Sequence, residues 1–363
     1  MHLQNCLRSA TRCKCKHLDV RHAELVSASH VGTLKHPDSY RDQGDRKFFL
    51  RLLPALLFGL FTISGIAQQL PEFSQYLNNE FLLNPAVAGT KSYAPATISY
   101  RVQWLNFTSA PTTQIASIHG SLRKNVGLGL SVINAVAGPT SMTSMQFAYA
   151  YNIKLTEKLR LSFGLAPMLI QQSLQKDKLT LDESNDNTFN RVSGKTMIAD
   201  LNTGIYLYAD KFFVSASAPQ VMENKVRLGD ALFTEKLKRH YLLYGGYNFT
   251  VKEKYVLTPS VLAKAMQSGA PIQYDVNFKA TYNQFIFAGL SYRGSTSQSA
   301  TETAVAFVGV VKFNFVFGYS YDYAFSSLHS YSAGSHEVFL TYRIGQKKAV
   351  AAPPVETTAK EAQ

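Results

Sequence analysis

The chain has 363 residues, a formal net charge of +13 at pH 7, 46% hydrophobic residues and three cysteines. All three cysteines, Cys6, Cys13 and Cys15, precede residue 67, so a chain cleaved there could form no disulfide, iron–sulfur cluster or cysteine nucleophile. The basic residues form no strip interleaved with aromatic residues, which argues against nucleic-acid binding.

An apolar run over residues 52–66 follows Lys47 and Arg51 and ends in a Gly-Ile-Ala triplet at residue 67. Small residues at the first and third positions before a cleavage point are the ones that signal peptidase accepts. The run is too short for a typical membrane-spanning helix. We therefore predict a signal peptide over residues 47–67.

Residues 1–46 precede this signal and are predicted to be a leader that results from a translation start assigned too early. Cys13, Cys15 and His17 could alternatively hold a metal, but their spacing matches no common zinc pattern. Removing residues 1–67 leaves 27 basic and 19 acidic residues and a net charge of +8. This balance could attract anionic lipid headgroups or an acidic partner, or could simply reflect solvated loops.

Residues 68–93 are predicted to form a periplasmic or lumenal segment that belongs to no strand. Pro71 could begin a helix, and Asn84-Pro85 would end it, because a residue before proline is pushed out of the helical region. Gly89 would then permit a turn into the first strand. The apolar stripe of this helix would consist of Phe73, Tyr76, Leu77 and Phe81.

The rest of the chain alternates large apolar or aromatic residues with small or polar ones. Side chains of a strand point to opposite faces in turn, so this two-residue period predicts strands with one apolar face and one polar face. The predicted strands cover residues 94–104, 112–120, 126–134, 142–153, 158–170, 197–208, 211–219, 240–251, 255–266, 272–282, 285–293, 302–312, 314–323 and 335–344.

The lengths of the connections between these strands distinguish a membrane barrel from a soluble sandwich or propeller. Links after even-numbered strands are short, and links after odd-numbered strands are longer, above all residues 173–196 and 220–239. Bacterial outer-membrane barrels have short periplasmic turns and long external loops. We predict an all-β fold, a transmembrane antiparallel β-barrel of about 14 strands over residues 94–345 with both termini periplasmic, followed by a disordered tail over residues 346–363.

The alternation also assigns the two faces of the barrel wall. Phe317 and Tyr319 belong to the apolar face and should contact lipid. Asp275 and Asn277 belong to the polar face and should line the lumen.

An ordered set of short motifs resembles the PorP/SprF outer-membrane proteins of the Bacteroidetes type IX secretion system. The resemblance extends from about residue 68 to residue 345. The motifs that carry it are Phe73-Ser74-Gln75-Tyr76, Asn84-Pro85-Ala86, Ala88-Gly89, Arg101 with Trp104, and Ala110-Pro111-Thr112.

The resemblance implies a non-enzymatic component of a protein secretion and surface-attachment machine. Its implied partners are outer-membrane lipid, periplasmic and outer-membrane secretion-system proteins, and a dedicated cargo protein with a C-terminal sorting domain. Some members of the family serve gliding adhesins. The alternative that periodicity alone allows is a porin-like diffusion channel for small solutes.

Several residues are candidates for the functional site. Arg101 would be an ion-pair partner in the lumen, Trp104 an anchor at the membrane interface on the other face of the first strand, and Pro111 part of the following loop. A second group would either plug the lumen or dock a periplasmic partner, and the resemblance favours docking. This group consists of Phe73, Tyr76, Phe81, Asn84, Pro85 and Gly89.

Catalytic and metal sites are disfavoured, so no cofactor is expected. His119 and Ser121 share a strand face, but no acidic partner is near them in sequence. His329 and His336 have serines nearby, as expected in a serine-rich chain. An acidic trio in the longest loop lacks the spacing of a calcium-binding loop. These residues are Asp182, Glu183 and Asp186.

The first testable prediction concerns processing. If residues 47–67 are the signal, the mature protein begins at Gln68, or at Gln69 where trimming varies. N-terminal sequencing of protein from the outer membrane measures this directly. Peptides from residues 1–46 in that material would contradict both the cleavage and the late translation start.

Overall fold

A computed structural model of the chain describes residues 70–175, 194–227, 234–297 and 302–346. Four sequence predictions lie wholly or almost wholly outside these ranges. They are the leader at 1–46, the signal peptide at 47–67, the tail at 346–363 and the acidic loop residues Asp182, Glu183 and Asp186.

The described residues form seventeen strands. They are β1 (Ala94–Val102), β2 (Thr112–Arg123), β3 (Val126–Ala137), β4 (Thr140–Lys154), β5 (Arg160–Leu174), β6 (Lys195–Tyr208), β7 (Phe212–Ala218), β8 (Lys225–Arg227), β9 (Thr234–Lys236), β10 (His240–Tyr247), β11 (Phe249–Val251), β12 (Tyr255–Met266), β13 (Gln273–Tyr282), β14 (Ile286–Ser295), β15 (Thr303–Lys312), β16 (Phe315–Ala324) and β17 (Ser335–Ile344).

Strand pairing closes the sheet into a barrel. From β1 to β7 and from β12 to β17 each strand pairs antiparallel with the next in the chain, β7 pairs with β10, and β1 pairs with β17 through the register Ala94↔Ile344 to Val102↔His336. Strands β10 and β11 both pair with β12 and act as one strand of the wall, while β8 and β9 form a separate hairpin. In the described part of the chain the wall therefore has 14 strands, as predicted, and no open edge.

The two faces of the wall have opposite chemistry. Asp275 is fully buried and Asn277 nearly so on the inner face of β13, whereas Phe317 of β16 is 49% exposed on the outer face. Tyr319 shares the outer face with Phe317 and bonds His336 on the adjacent strand. These positions confirm the predicted faces. An outer surface of aromatic and aliphatic residues around a polar interior is the pattern of a barrel in lipid.

The two rims of the barrel differ in loop length. On the short-turn rim, β11 and β12 are joined by residues 252–254 and β13 and β14 by residues 283–285. Lys252, Glu253, Asn283 and Gln284 have positive φ there, as tight hairpin turns require. The long-loop rim carries the longer links, except that Gly138-Pro139 alone joins β3 to β4. Strand β1 begins and β17 ends on the short-turn rim.

The helix predicted after Pro71 is wrong. The segment instead forms three 3-10 turns, Gln75–Leu77, Glu80–Leu82 and Pro85–Val87. A continuous helix would place the aromatic side chains on one stripe, but here they contact walls on different sides of the lumen, and short turns allow this change of direction. Among the described residues, no helix is long and apolar enough to cross a membrane.

The second prediction tests the outer face. Phe317→Arg should strongly reduce the yield of folded barrel, because a basic side chain facing hydrocarbon costs about 2–4 kcal/mol near the midplane. Asn277→Arg should reduce the yield far less, since Asn277 faces the lumen and not the hydrocarbon. Heat-modifiable mobility on gels after refolding into lipid vesicles measures the folded fraction. Equal losses for the two variants would contradict the assignment of faces.

Candidate functional site in the barrel lumen

Residues 70–89, which we call the plug, lie inside the barrel. Ser74 is bonded to Asp322, which lies near the end of β16 on the long-loop rim. Gly89 approaches Gly127, which lies near the start of β3 on the short-turn rim. The plug therefore runs through the lumen from the long-loop side to the short-turn side, and β1 follows it directly.

Ser74 is bonded to strands from both ends of the barrel sequence. Its amide N–H donates to Glu337 Oε2 of β17 at 2.7 Å, and its hydroxyl donates to Asp322 Oδ2 of β16 at 2.7 Å. The same hydroxyl accepts from Arg101 Nη1 of β1 at 3.2 Å and from Arg293 Nη2 of β14 at 3.4 Å. One serine of the plug thus contacts four strands through charged groups.

Arg293 extends this cluster to a second residue of the plug. Its Nη1 lies 2.9 Å from Glu72 Oε1, and its Nε lies 3.2 Å from Asp275 Oδ1. Arg101 pairs with Asp322 at 2.8 Å on the other side of Ser74. The complete set, which we call the lumenal charge cluster, consists of Arg101, Lys264 and Arg293 with Glu72, Asp275, Asp322 and Glu337.

The lumenal charge cluster specifies where the plug sits. Every wall residue in it except Lys264 is buried, so each ion has lost most of its hydration. A buried ion pair gives little net stability over apolar packing, but breaking one by removing a partner costs about 3–5 kcal/mol. A plug displaced from this position would leave Arg293 with one fewer carboxylate partner and Glu337 without the Ser74 amide.

The two titratable plug residues at this end have shifted pKa values. Burial alone would raise the pKa of Glu72, but the charges of Arg293, Lys264 and Arg101 outweigh burial and hold this pKa below its ordinary value. Burial, and then the charge of Asp275, raise the pKa of Tyr76 well above its ordinary range. Glu72 is therefore ionised and Tyr76 protonated at neutral pH, as an ion pair and a hydroxyl donor require.

Aromatic side chains anchor the plug along its length. The Tyr76 hydroxyl donates to Asp275 Oδ2 at 2.9 Å, and its ring packs edge-on against Tyr244 with centroids 5.7 Å apart. Phe81 is fully buried and packs against the His119 ring at 4.8 Å. Burial of a side chain of this size contributes about 1.5–3 kcal/mol. Phe73 is partly buried and packs on the same core.

Asn84 ties the middle of the plug to the wall opposite the lumenal charge cluster. Its Oδ1 accepts from the Ala86 amide at 2.8 Å and caps the last 3-10 turn, in which Pro85 is the first residue. Its Nδ2 donates to Ser215 Oγ at 2.8 Å and to the Ile205 carbonyl at 2.9 Å. The asparagine amide thus fixes both the turn and its position against β6 and β7.

Small inward residues allow the plug to lie flat on this wall. A Cβ at Gly204 would overlap with the Asn84 side chain, and a Cβ at Gly164 would overlap with the Ala86 backbone. Gly127 similarly lies against the Ala88 carbonyl. A close approach between two backbones is a common reason for glycine within a strand. The glycines therefore form a floor shaped for the plug.

The remaining predicted site residues lie near the long-loop rim. Arg101 faces the lumen as part of the charge cluster. Trp104 does not lie on the first strand, since β1 ends at Val102, and it sits in the following turn with φ of 54°. Its amide donates to Ser335 Oγ at 3.1 Å. The carbonyl of Pro111 accepts from the Gln103 amide at 2.8 Å and closes this loop.

The catalytic candidates do not assemble into a site. The His119 ring packs on Phe81, while the Ser121 hydroxyl donates to the Arg123 carbonyl. Over the described ranges, no group of three or more histidine, cysteine, aspartate or glutamate residues is arranged to hold a metal.

Sequence reasoning missed most of the lumenal charge cluster. Asp322, Glu337 and Arg293 each lie on an inward-facing position near the long-loop end of a predicted strand. Charged residues at similar heights on separate strands are the signal that could have identified them. The contribution of Ser74 depends on the path of the plug, which the periodicity of the strands does not specify.

The fold and site together define a transmembrane β-barrel whose lumen contains its own N-terminal segment. The family model for the type IX secretion system membrane protein PorP/SprF matches residues 65–342. The chain belongs to this family, and its barrel is an outer-membrane barrel. No curated protein sequence matches the chain significantly.

Similar solved structures include other barrels. The chain is 11% identical to the TodX deltaS2 mutant monoaromatic hydrocarbon channel, covering 74% of this chain and 94% of that one, with a TM-score of 0.45. For the CymD monoaromatic hydrocarbon channel the identity is 12%, the coverage 77% and 95%, and the TM-score 0.43. For the Acinetobacter baumannii outer membrane protein Omp33 the identity is 7%, the coverage is 69% of this chain and 98% of that one, and the TM-score is 0.42. Such low identities and TM-scores indicate nothing about a shared substrate.

The third prediction tests the glycine floor with a cysteine reporter, Val87→Cys, at a buried plug position. Gly204→Ala should displace Asn84, and losing two of its hydrogen bonds costs about 2 kcal/mol. The exposed population of the plug should then rise roughly thirtyfold, as measured by the rate of maleimide labelling.

Gly245→Ala is the matched control for this experiment. It adds the same methyl group on β10, where the nearest described atom, the Phe213 carbonyl oxygen, lies at an ordinary contact distance of 3.4 Å. Its labelling rate should remain that of the parent. Equal acceleration by both alanine variants would show that strand propensity, and not the seat of Asn84, controls access to residue 87.

Proposed function

We propose that this protein is a non-enzymatic, sealed barrel of the type IX secretion machinery that docks periplasmic machine components and serves secreted cargo. The observation that carries the proposal is the plug, which contacts strands around the lumen from the lumenal charge cluster to the glycine floor. A barrel filled by its own chain is suited to anchor and position other proteins in the membrane. It is poorly suited to pass solutes.

A second obstruction supports the sealed state. Two described residues of the loop between β7 and β10, Val226 and Leu237, are buried against Ile170 and Ile198 on the inner wall. This apolar cluster lies near the long-loop rim, separate from the plug. In an open porin-like channel the inner wall near the long-loop rim would instead be exposed to water.

The charged groups of the lumen are arranged to hold the plug in position. Arg101 and Arg293 are each paired with carboxylates and hydrogen-bonded to the plug. Charged groups that are satisfied by one another stabilise a position and are not available to activate a substrate.

The fourth prediction tests the sealed state and its role together. The barrel should carry no steady ionic current in planar bilayers. The triple variant Phe73→Ser, Tyr76→Ser and Phe81→Ser should still assemble, because strand pairing is untouched, but should show a new conductance as the plug loses its anchors. In the native bacterium the triple variant should also impair secretion.

A matched control removes the same types of side chain from the long-loop rim. Phe107→Ser, Phe325→Ser and Tyr331→Ser change three exposed residues and should produce no current. A large steady current through the unaltered protein would favour the diffusion channel and defeat the proposal. Normal secretion after deletion of the gene would also defeat it.

A further inference from the structure

The short-turn rim is strongly basic. Its turns and the adjoining strand ends carry eleven basic residues and three acidic residues among the described positions. The basic residues are Lys91, Arg123, Lys124, Lys154, Lys158, Arg160, Lys211, Lys252, Lys254, Lys312 and Arg343, and the acidic residues are Glu157, Asp210 and Glu253. Single-sign charge of this density creates a potential that attracts an oppositely charged partner.

A cavity lies between the plug and the wall at this end of the lumen. Its volume is about 310 Å³, which is at the lower end of the range for sites that bind small molecules or side chains. Ala209 and Asn248, which lie next to the short turns, border it on one side, and Tyr244 borders it from the inner wall. We call this space the mouth cavity.

Lysine side chains and tyrosine rings line the mouth cavity. Lys279 Nζ donates to the Leu77 carbonyl at 3.3 Å, and no carboxylate among the described residues forms an ion pair with it. The one acidic residue of the lining, Glu80, accepts a hydrogen bond from the Tyr206 hydroxyl at 3.0 Å. Lys91 lines the same space. Lys279 is only partly exposed, and an ammonium in such a site without a carboxylate partner favours an anionic ligand.

We propose that the mouth cavity binds an acidic segment of a protein partner, with one carboxylate paired to Lys279 and Lys91 and neighbouring acidic side chains paired to the basic rim. This inference rests on the proposed docking function and specifies the chemistry of its partner. The tyrosine rings of the lining would pack against the stem of the inserted side chain.

The position of the mouth cavity favours a protein segment over a lipid headgroup. Lys279 lies on the inner face of β13, whereas lipid headgroups contact the outer face of a barrel. A headgroup can pair with rim residues such as Lys154 or Lys252, but the wall separates it from Lys279. An extended polypeptide can enter the mouth from the aqueous side and reach both groups.

A fluorescent decaglutamate peptide tests the proposal with the purified full-length barrel in detergent. Fluorescence anisotropy should show saturable binding, weakened by added salt, and no binding of decaglutamine. Lys91→Gln with Lys279→Gln should weaken binding at least about tenfold, because both cations that face the inserted carboxylate are lost.

Two pairs of substitutions provide matched controls. Lys195→Gln with Lys225→Gln removes two lysines near the long-loop rim and should leave binding unchanged. Lys154→Gln with Lys158→Gln removes two lysines of the short-turn rim outside the mouth cavity and should weaken binding less than the cavity pair does. Equal effects of the rim and cavity pairs would overturn the role of the cavity.

The amount of phosphatidylglycerol that co-purifies with each variant distinguishes a lipid headgroup from a protein segment as the occupant of the mouth cavity. If the cavity pair lowers retained lipid but leaves peptide binding unchanged, an anionic headgroup is the occupant and the proposal is wrong. Absence of decaglutamate binding to the unaltered barrel also overturns it. That result would leave the docking function standing if gene deletion still blocks secretion, whereas normal secretion after deletion would remove the docking function itself.

Discussion

The structure depends on charge that is buried inside the barrel and satisfied by the N-terminal segment. Arg101, Asp322 and Glu337 come from three strands next to the closing seam, and each is within bonding or ion-pair distance of Ser74 or its partners. Removing ions from water is costly unless hydrogen bonds replace the lost hydration. The plug supplies part of that replacement, so the polar interior and the plug require each other.

The architecture could be derived from the sequence because a membrane barrel has a strong two-residue period. The outer residues of β13 and β16 must be apolar because they contact lipid, whereas the inner residues can be polar. This difference allowed the two faces and the number of strands to be predicted. Errors occurred where the period stops. The first strand was predicted to reach Trp104, but it ends at Val102, because the chain turns there with a positive φ at Trp104.

The interior was less predictable for a physical reason. The spacing of Phe73, Tyr76 and Phe81 fits a helix in isolation, yet the surrounding wall decides their directions, and the segment forms separate 3-10 turns. Local propensity gives way to tertiary contacts of this kind. The glycine floor could not be predicted either, because the need for glycine at positions 164 and 204 arises only from the close approach of the plug.

The plug and the closing seam of the barrel share residues, which links retention of the plug to closure of the ring. Ser74 lies toward the long-loop side, while β1 starts on the opposite rim, and the closed wall has no gap through which a chain could enter sideways. The segment can therefore reach the interior either before β1 joins β17 or along the barrel axis through the mouth at the short-turn rim. The seam and the plug also share Arg101 and Glu337, so the last strand of the chain both completes the ring and bonds Ser74, 263 residues earlier. A nascent chain that lacks β17 therefore lacks both the strand that closes the ring and one of the hydrogen bonds that hold the plug. Contacts of such long sequence separation form late and slowly, which leaves the unfinished barrel dependent on protection during its passage to the membrane.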